Sequence, residues 1–116
     1  MNAASLAKMK DGVILINTAR GSLIDSRALI DALKARKVSA AGLDLLENEY
    51  GLYYEFRAGE ALDNEELYTL RSFPNVIVSP HMAFYVERTV ASMISDNFVS
   101  VHAKDTGTED PYQILK

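Results

Sequence analysis

The stretch VILINTARGSLID, residues 13–25, decides the fold and raises the question of function. Its first part, Val13–Asn17, is an almost continuous apolar run, which is typical of a strand in a parallel sheet. Asp25 or Ser26 can cap the helix that follows. Between strand and helix stands Arg20, whose guanidinium keeps its charge and presents a planar fork of donors that suits a carboxylate. A loop arginine at the surface, without a ligand, is the competing interpretation.

Apolar runs and helical patterns alternate on both sides of this stretch. The predicted elements are a helix capped by Asn2 and ended by Asp11-Gly12, a strand over 13–17, a helix from Asp25 or Ser26 to Lys37, a strand over 40–46, a helix capped by Asp63 with Glu66, a strand over 75–79 and a helix over 86–104. This order indicates an α/β fold, with a parallel sheet covered on both faces and right-handed crossovers. The tail, 105–116, shows no periodicity and is predicted to be a loose end or a contact segment.

Composition excludes several classes of protein. The chain has 116 residues, of which 48% are hydrophobic and 24% are charged, and these values suit one ordinary globular domain. No apolar run approaches the ~20 residues of a membrane-spanning helix, so we expect no membrane partner and a cytoplasmic location. The absence of cysteine excludes disulfides and thiolate metal sites, and we predict no metal site. A net charge of −4 without a basic cluster argues against a nucleic-acid partner.

Ionisable residues follow each of the three predicted strands. Arg20 follows the first strand, Asp44 and Glu49 lie at and beyond the end of the second, and His81 follows the third. Ligands of open parallel sheets bind at the carboxyl ends of the strands, so these groups are expected to form one set for chemistry on a small anion. Taken singly, each has a structural interpretation: a satisfied histidine, a solvated glutamate, a capping aspartate. His102, in the last predicted helix, is given no role.

Three ordered motifs together resemble the D-isomer-specific 2-hydroxyacid dehydrogenases. They are INTARGSLID at 16–25, GLDLLENE at 42–49 and NVIVSPHMAFY at 75–85. The resemblance covers about residues 2–104 and implies the C-terminal half of a Rossmann-type NAD-binding domain, with the last helix leading out of it. The aromatic connection over 49–70 and the ending HMAFY are similar to the D-lactate dehydrogenase branch. The aromatic residues of the loop 50–62 then contact either a partner surface or the substrate.

The resemblance also implies roles for individual residues. Arg20 matches the arginine that binds the carboxylate of a 2-keto acid and polarises its ketone. His81 matches the acid that protonates the ketone oxygen during hydride transfer, and Glu49 matches the carboxylate that orients the imidazole. The implied cofactor is NAD, and the implied substrate is pyruvate or a near homologue, reduced to a D-2-hydroxy acid. The residues implied to contact the nicotinamide side are Thr18, Ala19, Arg20 and Asp44.

One part of the family pattern is missing from this sequence. No two of its six glycines are separated by a single residue, so the chain has no G-x-G-x-x-G turn for a pyrophosphate. We therefore expect a C-terminal fragment or truncated product that binds NAD weakly and is inactive alone. Such a half sheet leaves an unpaired edge and an uncovered apolar face, which predicts a homodimer, element swapping or aggregation.

Two other functions compete with the dehydrogenase segment. A non-catalytic module for dimerisation or regulation would keep the fold, but it has no need of Arg20, Glu49 and His81 together. A flavodoxin-like receiver with Asp44 as phosphoacceptor needs an acidic pair after the first strand and a lysine after the last. The chain has Thr18-Ala19-Arg20 and Pro80-His81 at those places, so the receiver is set aside.

Overall fold

The computed structural model describes residues 1–49, 51–53, 56, 59–60 and 63–113 in two compact units, Met1–Met82 and Ala83–Lys116. The first unit contains α1 (Ala3–Ala7), β1 (Val13–Asn17), a 3-10 turn (Gly21–Leu23), α2 (Ser26–Lys34), β2 (Val38–Leu43), α3 (Glu65–Ser72) and β3 (Val76–Val78). The second unit contains α4 (Glu87–Thr106). Residues 50, 54–55, 57–58, 61–62 and 114–116 lie outside the described ranges, and with them much of the predicted aromatic loop.

The three strands form a parallel sheet in the order β1-β2-β3, which confirms the predicted α/β class. Asn17 pairs with Leu43, and Leu43 pairs with Val78, so the last residues of all three strands are in register. The loops that follow the strands therefore leave the sheet at one edge. This register places the motifs with ionisable residues side by side.

The core of the first unit lies between the helices and one face of the sheet. Alternation along β1 turns Leu15 inward, where it is 7% exposed, and leaves its neighbours outside. The helix α2 packs against α1, α3 and β2. The largest fully buried side chains are Leu6, Leu29, Ile30, Val38, Leu45, Leu67 and Leu70. The helices α1, α2 and α3 thus each bury apolar side chains in one core cluster.

The opposite face of the sheet is apolar and exposed. Ile14, Ile16 and Ile77 are 65%, 73% and 75% exposed, respectively. The continuous apolar runs predicted a sheet covered on both faces, whereas the described residues of the first unit cover only one of them. The expected uncovered apolar face is present. We call Ile14, Ile16 and Ile77 the open sheet face.

The open sheet face is expected to drive self-association of the isolated chain. The variant with Ile14→Thr, Ile16→Thr and Ile77→Thr keeps β-branched residues but removes apolar surface, so its monomer fraction should rise. Sedimentation equilibrium measures this fraction, with Leu23→Thr as the control at an exposed apolar residue elsewhere. A parent chain that stays monomeric at high concentration would contradict the predicted association.

Several predicted boundaries differ from the observed ones. The second strand ends at Leu43 instead of residue 46. Leu45 and Leu46 are buried although they do not belong to a strand. Their apolar side chains extend the apolar run in the sequence, so the strand was predicted to be too long. The helix α3 is capped by Asn64, whose side chain accepts a hydrogen bond from the Leu67 N–H, and not by Asp63. At α2 the cap is Asp25, one of the two predicted residues.

The second unit, Ala83–Lys116, is built on one long helix, α4. The helix α4 extends two residues beyond the predicted end and stops at Gly107, whose φ of +66° is left-handed. Part of the predicted tail turns back along the helix, since the Ser100 hydroxyl donates to Asp110. Val90, Ile94, Phe98 and Val101, which recur at helical spacing, line an open groove on α4. Neither α4 nor any shorter helix within the described ranges is long and apolar enough to span a membrane.

Candidate active site at the carboxyl edge of the sheet

The turn after β1 is organised by Asn17, the last residue of the strand. Its amide oxygen accepts a hydrogen bond from the Ala19 N–H at 3.1 Å, and its amide nitrogen donates to the Arg20 carbonyl at 2.9 Å. Asn17 is itself buried, and Thr18, Ala19 and Arg20 are exposed. The Arg20 guanidinium donates to the Ala19 carbonyl at 2.7 Å. This turn thus presents backbone groups and a cation at the sheet edge.

Gly21 packs directly on the backbone of the loop after β2. A Cβ atom at this position would lie 1.9 Å from the Leu46 carbonyl oxygen and 2.8 Å from the Glu47 nitrogen. These distances are far inside van der Waals contact, and both neighbours are backbone atoms. The Arg20 turn can therefore approach the second loop this closely only because residue 21 has no side chain.

Glu49 joins the second loop to the third. One carboxylate oxygen accepts a hydrogen bond from the Leu46 N–H at 3.1 Å. The other lies 3.1 Å from Nδ1 of His81. The Glu49 side chain is only 16% exposed and that of His81 is 36% exposed, so solvent competes weakly for the carboxylate. This pair can hold an imidazole in one orientation and stabilise a positive charge on it.

Asp44 is 4% exposed and hydrogen-bonds to the turn that carries the histidine. Its Oδ1 accepts hydrogen bonds from the Ser79 hydroxyl at 2.6 Å and from the Met82 N–H at 2.8 Å. Its backbone carbonyl accepts a third, from the His81 N–H at 2.9 Å. His81 has a φ of +54°, in the left-handed region that residues other than glycine rarely adopt. The turn that carries the histidine is thus built around one buried carboxylate.

Tyr53 belongs to the same electrostatic environment. Its hydroxyl oxygen is buried and has no hydrogen-bond partner in the described part of the chain. Burial raises the pKa of this phenol; the charge of Arg71 opposes the rise, and Glu49 and Asp44 add to it. The phenol therefore stays neutral at physiological pH.

The structure thus brings together three of the predicted residues, Asp44, Glu49 and His81. Arg20 lies on the adjoining turn and, within the described ranges, neither hydrogen-bonds nor forms an ion pair with them. Sequence reasoning did not assign roles to Asn17, Gly21 and Ser79, which hold these loops. An asparagine at a strand end, before a turn, was the available signal for Asn17. No local pattern distinguishes the other two.

The exposed Thr18–Arg20 turn and the buried Asp44 lie at the carboxyl edge of the parallel sheet, where sheets of this class bind their ligands. The exposed backbone groups and the buried carboxylate at this edge suit the polar groups of a dinucleotide cofactor. Among the described residues, no cluster of three or more histidine or acidic side chains suits a metal ion.

Comparison with known proteins identifies the family of this chain. Residues 1–83 match the family model described as D-isomer specific 2-hydroxyacid dehydrogenase, NAD binding domain. The chain belongs to this family. Its matched part is an NAD-binding domain sequence and includes all the predicted site residues.

Individual relatives are similar over most of the chain. An aromatic 2-oxoacid reductase of Clostridium sporogenes is 48% identical over 90 residues, which are 78% of this chain and 27% of the reductase. A D-lactate dehydrogenase structure from Sporolactobacillus sp. has a TM-score of 0.84 at 37% identity, covering 100% of this chain and 35% of that one. The NAD⁺ complex of D-lactate dehydrogenase from Lactobacillus jensenii has a TM-score of 0.85 at 33% identity, with the same coverage. The chain thus spans 27% to 35% of the length of these relatives.

Proposed function

We propose that this chain supplies the acid–base and substrate-binding groups of an NAD-dependent D-2-hydroxyacid dehydrogenase. The observation that carries the proposal is the 3.1 Å contact between Nδ1 of His81 and a carboxylate oxygen of Glu49. These two residues come from different loops, and the strand register brings the loops together. A histidine oriented by a carboxylate at a strand edge is a common acid–base device.

His81 transfers the proton. When Nδ1 is held by Glu49, the proton that leaves the ring comes from Nε2. In the reducing direction Nε2–H donates to the ketone oxygen as that oxygen gains negative charge, and in the oxidising direction neutral Nε2 accepts the hydroxyl proton. Glu49 orients the ring and stabilises the imidazolium, as the carboxylate of a catalytic triad does.

Arg20 binds the substrate carboxylate. Its exposed guanidinium has one internal partner within the described ranges, the Ala19 carbonyl, so most of its donors face outward. A bidentate pair with the carboxylate orients the 2-keto acid, and the same positive charge polarises the neighbouring ketone. Lysine cannot replace this planar fork.

Thr18, Ala19, Arg20 and Asp44 contact the nicotinamide side of the cofactor in this proposal. NADH, when bound, supplies the hydride to the keto carbon. The Thr18–Arg20 turn contributes exposed backbone groups, and Asn17 keeps that turn rigid through two hydrogen bonds. Asp44 contributes a carboxyl group whose position is fixed by hydrogen bonds to Ser79 and to the backbone of His81.

The substrate class is a small 2-keto acid of the pyruvate type. The similarity to D-lactate dehydrogenases over the whole chain supports this assignment. The C. sporogenes relative, by its name, reduces aromatic 2-oxoacids. Pyruvate and phenylpyruvate are therefore the two substrates to compare. A cytoplasmic location stays a prediction.

A non-catalytic dimerisation module is the second candidate, and the open sheet face favours it. Ile14, Ile16 and Ile77 are exposed enough to form an interface. This candidate gives no reason for the Glu49–His81 contact. Activity measurements distinguish the two candidates.

The test compares the chain alone with a chimaera in which it replaces the matching third of the Sporolactobacillus D-lactate dehydrogenase. We expect no measurable NADH oxidation by the chain alone, because it lacks a glycine-rich turn for the pyrophosphate. The chimaera should oxidise NADH with pyruvate and bind NADH as the parent dehydrogenase does.

Three outcomes would contradict parts of this proposal. Activity of the chain alone would refute the predicted dependence on further sequence. A folded chimaera that binds NADH but reduces neither pyruvate nor phenylpyruvate would refute the catalytic role and favour the dimerisation module. A chimaera that prefers phenylpyruvate, when the parent dehydrogenase prefers pyruvate, would refute the pyruvate-type assignment.

A further inference from the structure

We propose that Ser79 is a positioning residue for His81. Its hydroxyl, acting through the buried carboxylate of Asp44, holds the turn over 79–82 in the conformation that brings the imidazole to Glu49. The inference rests on the proposed function insofar as His81 is the acid–base group. The contacts that carry it do not depend on any substrate.

The first support is the number of bonds that converge on Asp44. The Ser79 hydroxyl donates to Oδ1 of Asp44 at 2.6 Å, a short distance typical of a hydrogen bond to a carboxylate. The Met82 N–H donates to the same oxygen at 2.8 Å. The Asp44 backbone carbonyl accepts from the His81 N–H. Residues on both sides of the histidine, and the histidine itself, are thus tied to one residue of the neighbouring loop.

The second support is the backbone conformation of His81. Its φ of +54° is unfavourable for a residue with a Cβ atom, so neighbouring contacts must maintain it. The His81 N–H is shared between the Asp44 and Ser79 carbonyls, at 2.9 and 3.1 Å. The Ser79 N–H donates to Leu43 at 3.0 Å, which fixes the start of the turn to the end of β2.

The third support is burial. A carboxylate that is 4% exposed needs hydrogen-bond donors, because water supplies few of them. Removal of the Ser79 hydroxyl takes away a short donor and leaves Asp44 less well satisfied. We expect the carboxylate to shift or recruit water, and the left-handed turn to relax. Nδ1 of His81 then leaves Glu49.

The experiment reads the imidazole directly and does not require activity. ¹⁵N-histidine labelling of the whole chain gives signals for two residues, His81 and His102, and His102→Gln assigns them. In the parent chain we expect the His81 signals to show a proton on Nδ1. In Ser79→Ala the proton should no longer be found mainly on Nδ1. Ser79→Thr should keep the proton on Nδ1 because the hydroxyl remains. Ser39→Ala is the matched control, since Ser39 donates to the Gly12 carbonyl near the other end of β2.

The same variants are then measured in the chimaera. Displacement of an acid–base group without loss of the binding residues lowers kcat by about 10-fold to 100-fold and leaves KM for pyruvate little changed. A merely structural role would lower the amount of folded protein without moving the histidine signals or kcat. If Ser79→Ala does not fold, Ser79→Cys, with a weaker donor of similar size, should give an intermediate loss of the Nδ1–H signal.

Ser79→Ala with parental histidine signals and kcat would overturn the inference. Ser79→Cys with parental signals would overturn it if the alanine variant does not fold. Ser79→Thr that behaves like Ser79→Ala would also overturn it, because the hydroxyl would then not be the deciding group. If Ser79→Ala changes the His81 signals but the chimaera with the parent sequence is inactive, the positioning role is supported and the proposed function is refuted.

Discussion

Replacement of His81 by glutamine is expected to lower kcat for pyruvate reduction in the chimaera by about 10²- to 10⁴-fold. Glutamine keeps a polar group of similar reach, but it cannot give up a proton to a developing alkoxide. Glu49 would remain anchored by the Leu46 N–H, so the loop should keep its position. NADH binding should therefore be close to that of the parent chimaera, and the loss should fall on the chemical step.

The chain offers a matched control for this prediction. His102→Gln makes the same substitution at the only other histidine of the sequence, an exposed position in α4, and should leave kcat unchanged. Glu49→Gln should lower kcat less than His81→Gln, because the imidazole remains while its orientation and charge stabilisation weaken. Parental kcat in His81→Gln would remove this residue from the acid–base role.

Gly21→Ala should destabilise the chain by about 3 kcal/mol or more. The added methyl group would lie 1.9 Å from the Leu46 carbonyl oxygen, and neither neighbour is a side chain that can rotate away. One of the two loops must move. Because Arg20 precedes Gly21 and Glu49 is held by the Leu46 N–H, we expect this movement also to shift Arg20 relative to the Glu49–His81 pair.

Urea unfolding followed by far-ultraviolet circular dichroism measures this effect. The control is Gly42→Ala in β2, where a Cβ atom would meet only Ile16 Cγ1 at an ordinary 3.8 Å. That variant should be neutral or stabilised by up to about 1 kcal/mol, since alanine has less backbone entropy to lose. Equal unfolding free energies for Gly21→Ala and Gly42→Ala would contradict the prediction, because the loops would then accommodate the methyl group without a loss of stability.

Much of the fold follows from local signals. The apolar run Val13–Asn17 coincides with β1, and Asn2 and Asp25 cap the helices they were expected to cap. These features depend on side chains and backbone within a few residues of one another, so sequence reasoning reaches them. The second strand was predicted too long because apolarity reports burial, and Leu45 and Leu46 are buried outside any strand.

The candidate site was only partly accessible from the sequence. The edge at which Asp44, Glu49 and His81 gather follows from strand order and the carboxyl-end rule. Their mutual contacts do not follow from it. The 3.1 Å distance between Nδ1 of His81 and Glu49 requires the left-handed backbone conformation of His81. The need for glycine at position 21 arises from a backbone contact between two separate loops.

The sequence by itself determined the fold class, the family and the kinds of groups available: a fixed cation, a carboxylate and an imidazole after successive strands. Periodicity, capping residues and ordered motifs carry that information locally. Only the tertiary structure decided that Asp44 and Ser79 hold the histidine turn, that Gly21 must lack a side chain, and that one face of the sheet stays open. The physical reason is that hydrogen bonds, steric contacts and burial between separate segments depend on sub-ångström packing, which no local pattern encodes.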